Sequence, residues 1–331
     1  MRVAVIGAGS WGTAIAWLLD GKGHSVQLWA RESQIADGIN ATHKNPVYLP
    51  DVNFSERVVA SSVIGDVLVD VSAVVMVTPS VGVRETARAM APHLAADIPV
   101  VILSKGVEAH TSKLMTDILE DLFENPARIA ALSGPNHAEE VSRAVPSATV
   151  VASHNPATAA FFQELFQTPF FRVYTNDDLI GVELCGAGKN IIAIACGVCD
   201  GLGYGDNTKA SLMTRGLAEL ARLGRVMGAK QETYMGLAGM GDLIVTCTSQ
   251  HSRNRGLGEL IARGGSLDEF QERTRMVAEG AVACKSIYEL ACAKGVEMPI
   301  TRVVHDILYE ELSPADGVTE LLTRPLGREF K

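Results

Sequence analysis

The chain has 331 residues, 47% hydrophobic and 20% charged, a globular composition with enough apolar material for more than one core. With 29 basic against 38 acidic residues the net charge is −9, which argues against a nucleic-acid partner and requires any bound anion to be met by locally gathered cations. No apolar run reads as the ~18–20 residues of a membrane span, no leader-like segment precedes the first strand, and the six cysteines are scattered as reduced thiols are. A cytoplasmic protein without membrane insertion is expected.

The first strand, from Arg2, ends in Gly7-Ala8-Gly9-Ser10-Trp11-Gly12 and runs directly into a helical stretch at 13–19. Strand, glycine turn and helix in that order are the context in which Gly-x-Gly-x-x-Gly binds a dinucleotide. Gly7 permits the tight turn, Gly9 admits a pyrophosphate and Gly12 lets the helix pack closely. The free amides of the helix N-terminus then hold the phosphates. Further short apolar runs at 25–30, 73–77, 99–104, 128–132, 147–153 and 171–174 read as strands, several closed by a loop with Gly or Pro, as buried parallel strands are. Helical patterns at 84–94 and 112–123 fill intervals between them. Past Asn176 the segments 189–198, 208–227, 281–294 and 301–308 have helical length and few breakers. The fold class is therefore α/β: an N-terminal Rossmann-type, doubly wound, mostly parallel sheet over 1–180, followed by a C-terminal all-helical substrate domain over 181–331.

Ligands in such a sheet sit beyond the carboxyl ends of the strands. Arg31 follows the second strand, about 20 residues past Gly12, where NAD-specific folds often carry an acid for the ribose 2′-hydroxyl. Its guanidinium suits a 2′-phosphate and inclines the reading to NADPH over NADH, although the adjacent Glu32 is able to take the NAD role. Lys105, in Ser104-Lys105-Gly106, points an ammonium into the cleft. Asn136, in Ser133-Gly134-Pro135-Asn136, either caps the next helix or contacts ligand. The run 184–190 looks like a phosphate loop but fails the template, with Glu183 in place of Gly and Asn190 in place of Ser/Thr. Lys189 within it precedes an apolar helical run; burial there would lower its pKa toward the working range of a general acid–base, whereas a helix-end lysine would snorkel to solvent. Asp242 is a lone acid among small and apolar residues and needs a partner, most simply a lysine. Thr246, four residues on, shares its helix face. Ser252-Arg253-Asn254-Arg255 is suited to a phosphate through charged side chains and helix amides, the alternative being a basic helix start on the surface. Cys196 and Cys199 read as buried small side chains, and no metal site is expected.

Taken together with Tyr48-Leu49-Pro50, Asp200-Gly201-Leu202-Gly203, the stretch from Gly205 to Ala210 and the tail Leu322-Thr323-Arg324-Pro325-Leu326, these motifs in their order and spacing resemble bacterial NAD(P)-dependent glycerol-3-phosphate dehydrogenases over essentially the whole chain. The resemblance implies a homodimer that interconverts dihydroxyacetone phosphate and sn-glycerol 3-phosphate, feeding glycerophospholipid synthesis. It implies Lys189 as catalytic acid–base, with Lys105 and Asp242 in the site. Gly134, Asn136, Asn190, Thr246, Ser252, Arg253 and Asn254 would contact substrate. Gly7, Gly9, Ser10, Trp11, Gly12, Arg31, Tyr48, Lys105, Ala138, Arg253, Val277 and Glu279 would contact the cofactor. Two positions depart from the family pattern: 136 is often Ser, and 188 is often a bulkier apolar residue, so that Gly188 is expected to loosen a loop before Lys189. Two other readings stand beside this one: a related dehydrogenase acting on a 3-hydroxyacid, and a non-catalytic NAD(P)-binding regulator.

Overall fold

The computed structural model describes residues 1–274 and 278–329, so Val277 lies outside the described residues. Among these, eight strands form one sheet: β1 (Arg2–Ile6), β2 (Ser25–Trp29), β3 (Val58–Ser61), β4 (Ala73–Met76), β5 (Val100–Ile102), β6 (Ile129–Ser133), β7 (Ser147–Ala152) and β8 (Phe171–Asn176). Their order is β3-β2-β1-β4-β5-β6-β7-β8, and only the β6–β7 pair is antiparallel. Parallel neighbours need crossovers. These are α1 (Ser10–Gly21), α2 (Ser33–Thr42), α3 (Ile64–Val67), α4 (Val83–Met90) and α5 (Met115–Leu122); α6 (Ala138–Val141) links β6 to β7 and α7 (Pro156–Phe166) links β7 to β8. Strands β1, β4, β5 and β6 are buried on both faces, which explains their unbroken apolar sequences. The sequence reading missed β3, an edge strand that pairs only with β2 and alternates buried Val58 and Ala60 with exposed Val59. The winding reverses between β1 and β4, and the crevice there is where a doubly wound sheet takes its ligand.

The remaining chain is helical: α8 (Leu179–Gly201), α9 (Asp206–Met227), α10 (Gln231–Met235), α11 (Asp242–Thr248), α12 (Arg253–Ala262), α13 (Leu267–Thr274), α14 (Glu279–Ala293), α15 (Pro299–Tyr309) and α16 (Pro314–Leu322). A π turn, Leu237–Gly241, runs straight into α11. The chain packs as two compact units, 1–186 with 229–242, and 187–228 with 243–331. The sequence reading divides the chain near 180. The structure instead keeps the first turns of α8 in the first unit and returns 229–242 to it. One tie is Asp178, whose Oδ2 accepts from Lys230 N at 2.9 Å and Thr233 Oγ1 at 2.6 Å.

Helix α8 is 23 residues long and holds an 18-residue window with a mean hydropathy of 1.6, enough by length and composition to cross a bilayer, yet 94% of that window is buried in the fold. The sequence reading did not register it as one apolar run because Glu183 and Lys189 interrupt it. The loop expected before Lys189 is absent. Gly188 lies inside α8, and a Cβ there would stand 2.1 Å from Leu220 Cδ2, so its bare backbone lets α9 lie against α8. The contact with α12 is closer still. A Cβ on Gly197 would stand 1.9 Å from the Arg255 carbonyl oxygen, and one on Gly258 2.1 Å from that of Ile194.

Candidate active site

The glycine turn has the geometry its sequence calls for. Gly7 has φ +124°, and a Cβ there would lie 2.8 Å from the Val77 carbonyl oxygen of the neighbouring strand end. A Cβ on Gly12 would lie 1.8 Å from the Gly7 carbonyl oxygen, so α1 packs directly on the turn. At Gly9, which caps α1, a Cβ would meet nothing within 4 Å. An N-terminus without a capping side chain, opening a 12-residue helix above clear space, fits a dinucleotide pyrophosphate. Ser10 and Trp11 are the first two helical residues, and Trp11 leans on Phe171 with ring centroids 6.5 Å apart.

Asn45, which the sequence reading did not select, is fully buried and holds this turn in place. Its Nδ2 donates to Ala8 O at 2.8 Å and to Thr13 Oγ1 at 2.9 Å, while its Oδ1 accepts from Val47 N and Tyr48 N, each at 3.0 Å. Tyr48 is thereby joined to the turn some forty positions earlier. The Asn45-Pro46 dipeptide signalled a turn, but nothing in it signalled burial. Arg31 has an 81% exposed side chain and pairs with its neighbour Glu32 at 2.9 Å, so the two residues that would set NADPH against NADH are bonded to each other.

A second group sits at the ends of β5 and β6. Lys105 Nζ lies 2.7 Å from Asp242 Oδ2 and 3.4 Å from the Gly134 carbonyl oxygen. Asp242, 1% exposed, also accepts from Ser133 Oγ at 3.3 Å. The lone acid thus has the lysine partner its burial demands. Ser133 is a further contributor that sequence reasoning passed over, although its place at the end of β6 pointed to it. Asn136 does not cap α6, whose capping position is His137; its Nδ2 donates to Thr149 Oγ1 at 3.2 Å, and Thr149 Oγ1 donates to Ser133 O at 2.9 Å. Lys105, Gly134, Asn136 and Asp242 therefore share one hydrogen-bonded network. Ala138, the first residue of α6, is buried nearby in sequence.

In the second unit Lys189 is 7% exposed, in mid-helix, and its Nζ donates to Thr246 Oγ1 at 2.7 Å. Asn190 beside it is buried. Ser252 caps α12, its Oγ accepting from Arg255 N at 3.3 Å, so Arg253 and Asn254 are the helix's first two residues. Arg253 is exposed. Asn254 Oδ1 accepts from Gly280 N at 3.0 Å, tying the start of α12 to the start of α14, where Glu279 is the first residue. Arg255 turns away to Asp200 at 2.7 Å and Glu259 at 2.5 Å. Cys196 and Cys199 are free and buried within α8, and burial pushes the Cys199 thiol up to about 12, which leaves it inert.

Comparison with known proteins adds the chemistry. Residues 2–159 match the N-terminal region, and residues 178–319 the C-terminal region, of NAD-dependent glycerol-3-phosphate dehydrogenase. A glycerol-3-phosphate dehydrogenase (NAD(P)+) of Moorella thermoacetica is 47% identical over 329 residues, covering 99% of this chain and 98% of that protein. One from Shouchella clausii is 46% identical, covering 100% and 98%. The crystal structure of a glycerol-3-phosphate dehydrogenase from Coxiella burnetii superposes with a TM-score of 0.94 at 41% identity, covering 98% of this chain and 99% of that one.

Proposed function

The chain belongs to the NAD-dependent glycerol-3-phosphate dehydrogenase family, and we propose that it interconverts dihydroxyacetone phosphate and sn-glycerol 3-phosphate with Lys189 as the general acid–base. A nicotinamide dinucleotide held by the chain would be the source or acceptor of the hydride. Residues of the glycine turn, Gly7, Gly9, Ser10, Trp11 and Gly12, would hold it together with Arg31, Tyr48, Lys105, Ala138, Arg253, Val277 and Glu279. Reduction at the substrate carbonyl leaves an alkoxide that needs a proton. Lys189 gives it from Nζ, and in the oxidative direction takes it back, with Thr246 Oγ1 fixing the ammonium. Lys105, kept in place by Asp242, supplies positive charge to the same oxygen. Arg253, with Ser252 and Asn254 at the amides of α12, holds the substrate phosphate, so that binding energy remote from the carbonyl serves to position it. Gly134, Asn136 and Asn190 complete the substrate contacts.

The observation that carries this reading is Lys189 itself. At 7% exposure its Nζ is held against Thr246 Oγ1 at 2.7 Å, and a proton donor fixed in direction is what the reaction needs. The test is a substrate panel, read by nicotinamide absorbance with NADPH and with NADH. Turnover of dihydroxyacetone phosphate, with kcat/KM lower by at least ~100-fold for dihydroxyacetone, is expected for a site that anchors phosphate. Preference for a 3-hydroxyacid would establish the related-dehydrogenase reading. Cofactor binding without turnover of any substrate would establish a regulator. The same reading places the protein in the cytoplasm, as a homodimer without membrane insertion that feeds glycerophospholipid synthesis; sedimentation of the purified protein tests the dimer.

A further inference from the structure

The second unit contains a cavity of about 270 Å³ that no residue assigned to the reaction lines. Its wall comes from four helices, with Val198 of α8, Leu212 of α9, Val304 of α15 and Leu321 of α16 as representative apolar contributors. The size is close to the lower end of small-molecule sites, ~300–1,000 Å³. Three guanidinium groups, Arg215, Arg222 and Arg324, also line it. Arg215 uses one N–H on the Glu329 carbonyl oxygen and Arg222 one on that of Glu297, each at 2.8 Å. A guanidinium has five N–H donors. Arg324 stands 3.5 Å from the carboxylate of Glu297, which is itself largely exposed. Among the described residues the one carboxylate in the lining is Glu219, a buried group that also interacts electrostatically with Arg222. It accepts from Ile300 N at 2.8 Å and Thr301 N at 3.2 Å at the start of α15. In a chain with a net charge of −9, three arginines around one apolar hollow are a local reversal of sign.

We propose that this cavity binds an alkyl carboxylate, its chain between α8, α9, α15 and α16 and its head against the arginines. Apolar walls take the chain without a polar cost, and a planar guanidinium matches a carboxylate in a bidentate pair. A cationic or neutral head of the same chain length gains nothing from the three guanidinium groups, and Glu219 is the one carboxylate a cation could meet.

The test is calorimetric titration of the whole protein with dodecanoate and dodecyltrimethylammonium below their micelle-forming concentrations and with dodecanol below its solubility limit. The result expected is one site per chain for dodecanoate with a micromolar Kd, and binding at least ~10-fold weaker for the other two. Arg215→Gln should weaken dodecanoate by about tenfold. Val304→Phe, which fills the hollow, should abolish binding; Leu212→Phe fills it from α9 should the first variant fail to fold. No binding, equal binding of all three chains, or undiminished binding in a folded filled variant overturns the proposal. So does sedimentation that finds a dimer dissociated by Val304→Phe, since a second copy would then cover this face. None of these readings depends on dehydrogenase activity, so the assigned reaction stands or falls separately.

Discussion

Lys105 and Lys189 bring the same charge into contrasting surroundings. Lys105 stands on a loop at the end of β5 and meets a carboxylate, a partner that fixes its position. Lys189 stands in the middle of a 23-residue apolar helix and donates to a hydroxyl, a group that both gives and accepts protons. Under the proposed mechanism the difference separates holding charge from moving a proton. It also separates two ways of building a site, from loops at the ends of a sheet and from a side chain inside a packed helix.

The largest expected effect lies on the Lys189 side. Lys189→Ala should lower kcat by ~10²–10⁴-fold with circular dichroism unchanged, while Lys105→Ala should raise KM and lower kcat less. Near-normal turnover in Lys189→Ala, or the two patterns exchanged, breaks the contrast. Next comes the rigidity of the helix that carries Lys189. Gly197→Ala puts a Cβ where the Arg255 carbonyl oxygen stands, and should cost about 3 kcal/mol in urea unfolding; an unchanged midpoint would mean that α8 and α12 separate easily. On the sheet side, Arg31→Ala should lower kcat/KM for NADPH about tenfold and leave that for NADH nearly unchanged. An equal loss with both cofactors removes Arg31 from the 2′-phosphate.

The smallest effect is a pH slope. Burial pushes the Glu183 carboxyl up to about 8, offset in part by hydrogen bonds from Thr116 N at 3.0 Å and Thr116 Oγ1. A carboxyl with a folded pKa above its ordinary 4.5 binds more protons folded than unfolded between those values. Its contribution to stability is full below about 4.5 and is lost as pH rises towards 8. Thermal melts of Glu183→Gln across that window should therefore fall less steeply with pH than those of the parent. Identical slopes would show that Glu183 keeps an ordinary titration.

Strands and glycine turn were legible because both follow from local rules: a strand buried on two faces is apolar throughout, and Gly7 and Gly12 stand where no Cβ fits. The end of β5 exposed Lys105 in the same way. The illegible parts depend on distant contacts. Asn45 is a polar loop residue until it is seen to reach Ala8 and Thr13, and Asn136 has the look of a cap until Thr149 takes its amide. Gly188 reads as a loop glycine because nothing nearby announces Leu220. Strand β3 escaped because an edge strand shows half the apolar pattern of a central one.

The return of residues 229–242 to the first unit has a consequence for how the protein is made. A ribosome completes all eight strands of the sheet by residue 176. The partner of Lys105 and the ligands of Asp178's carboxylate at Lys230 and Thr233 emerge only dozens of residues afterwards. During that interval a nearly finished nucleotide fold waits with a half-buried lysine that lacks its carboxylate partner. A fragment cut at 180 would be frozen at that stage, with every strand present and the electrostatic keystone missing.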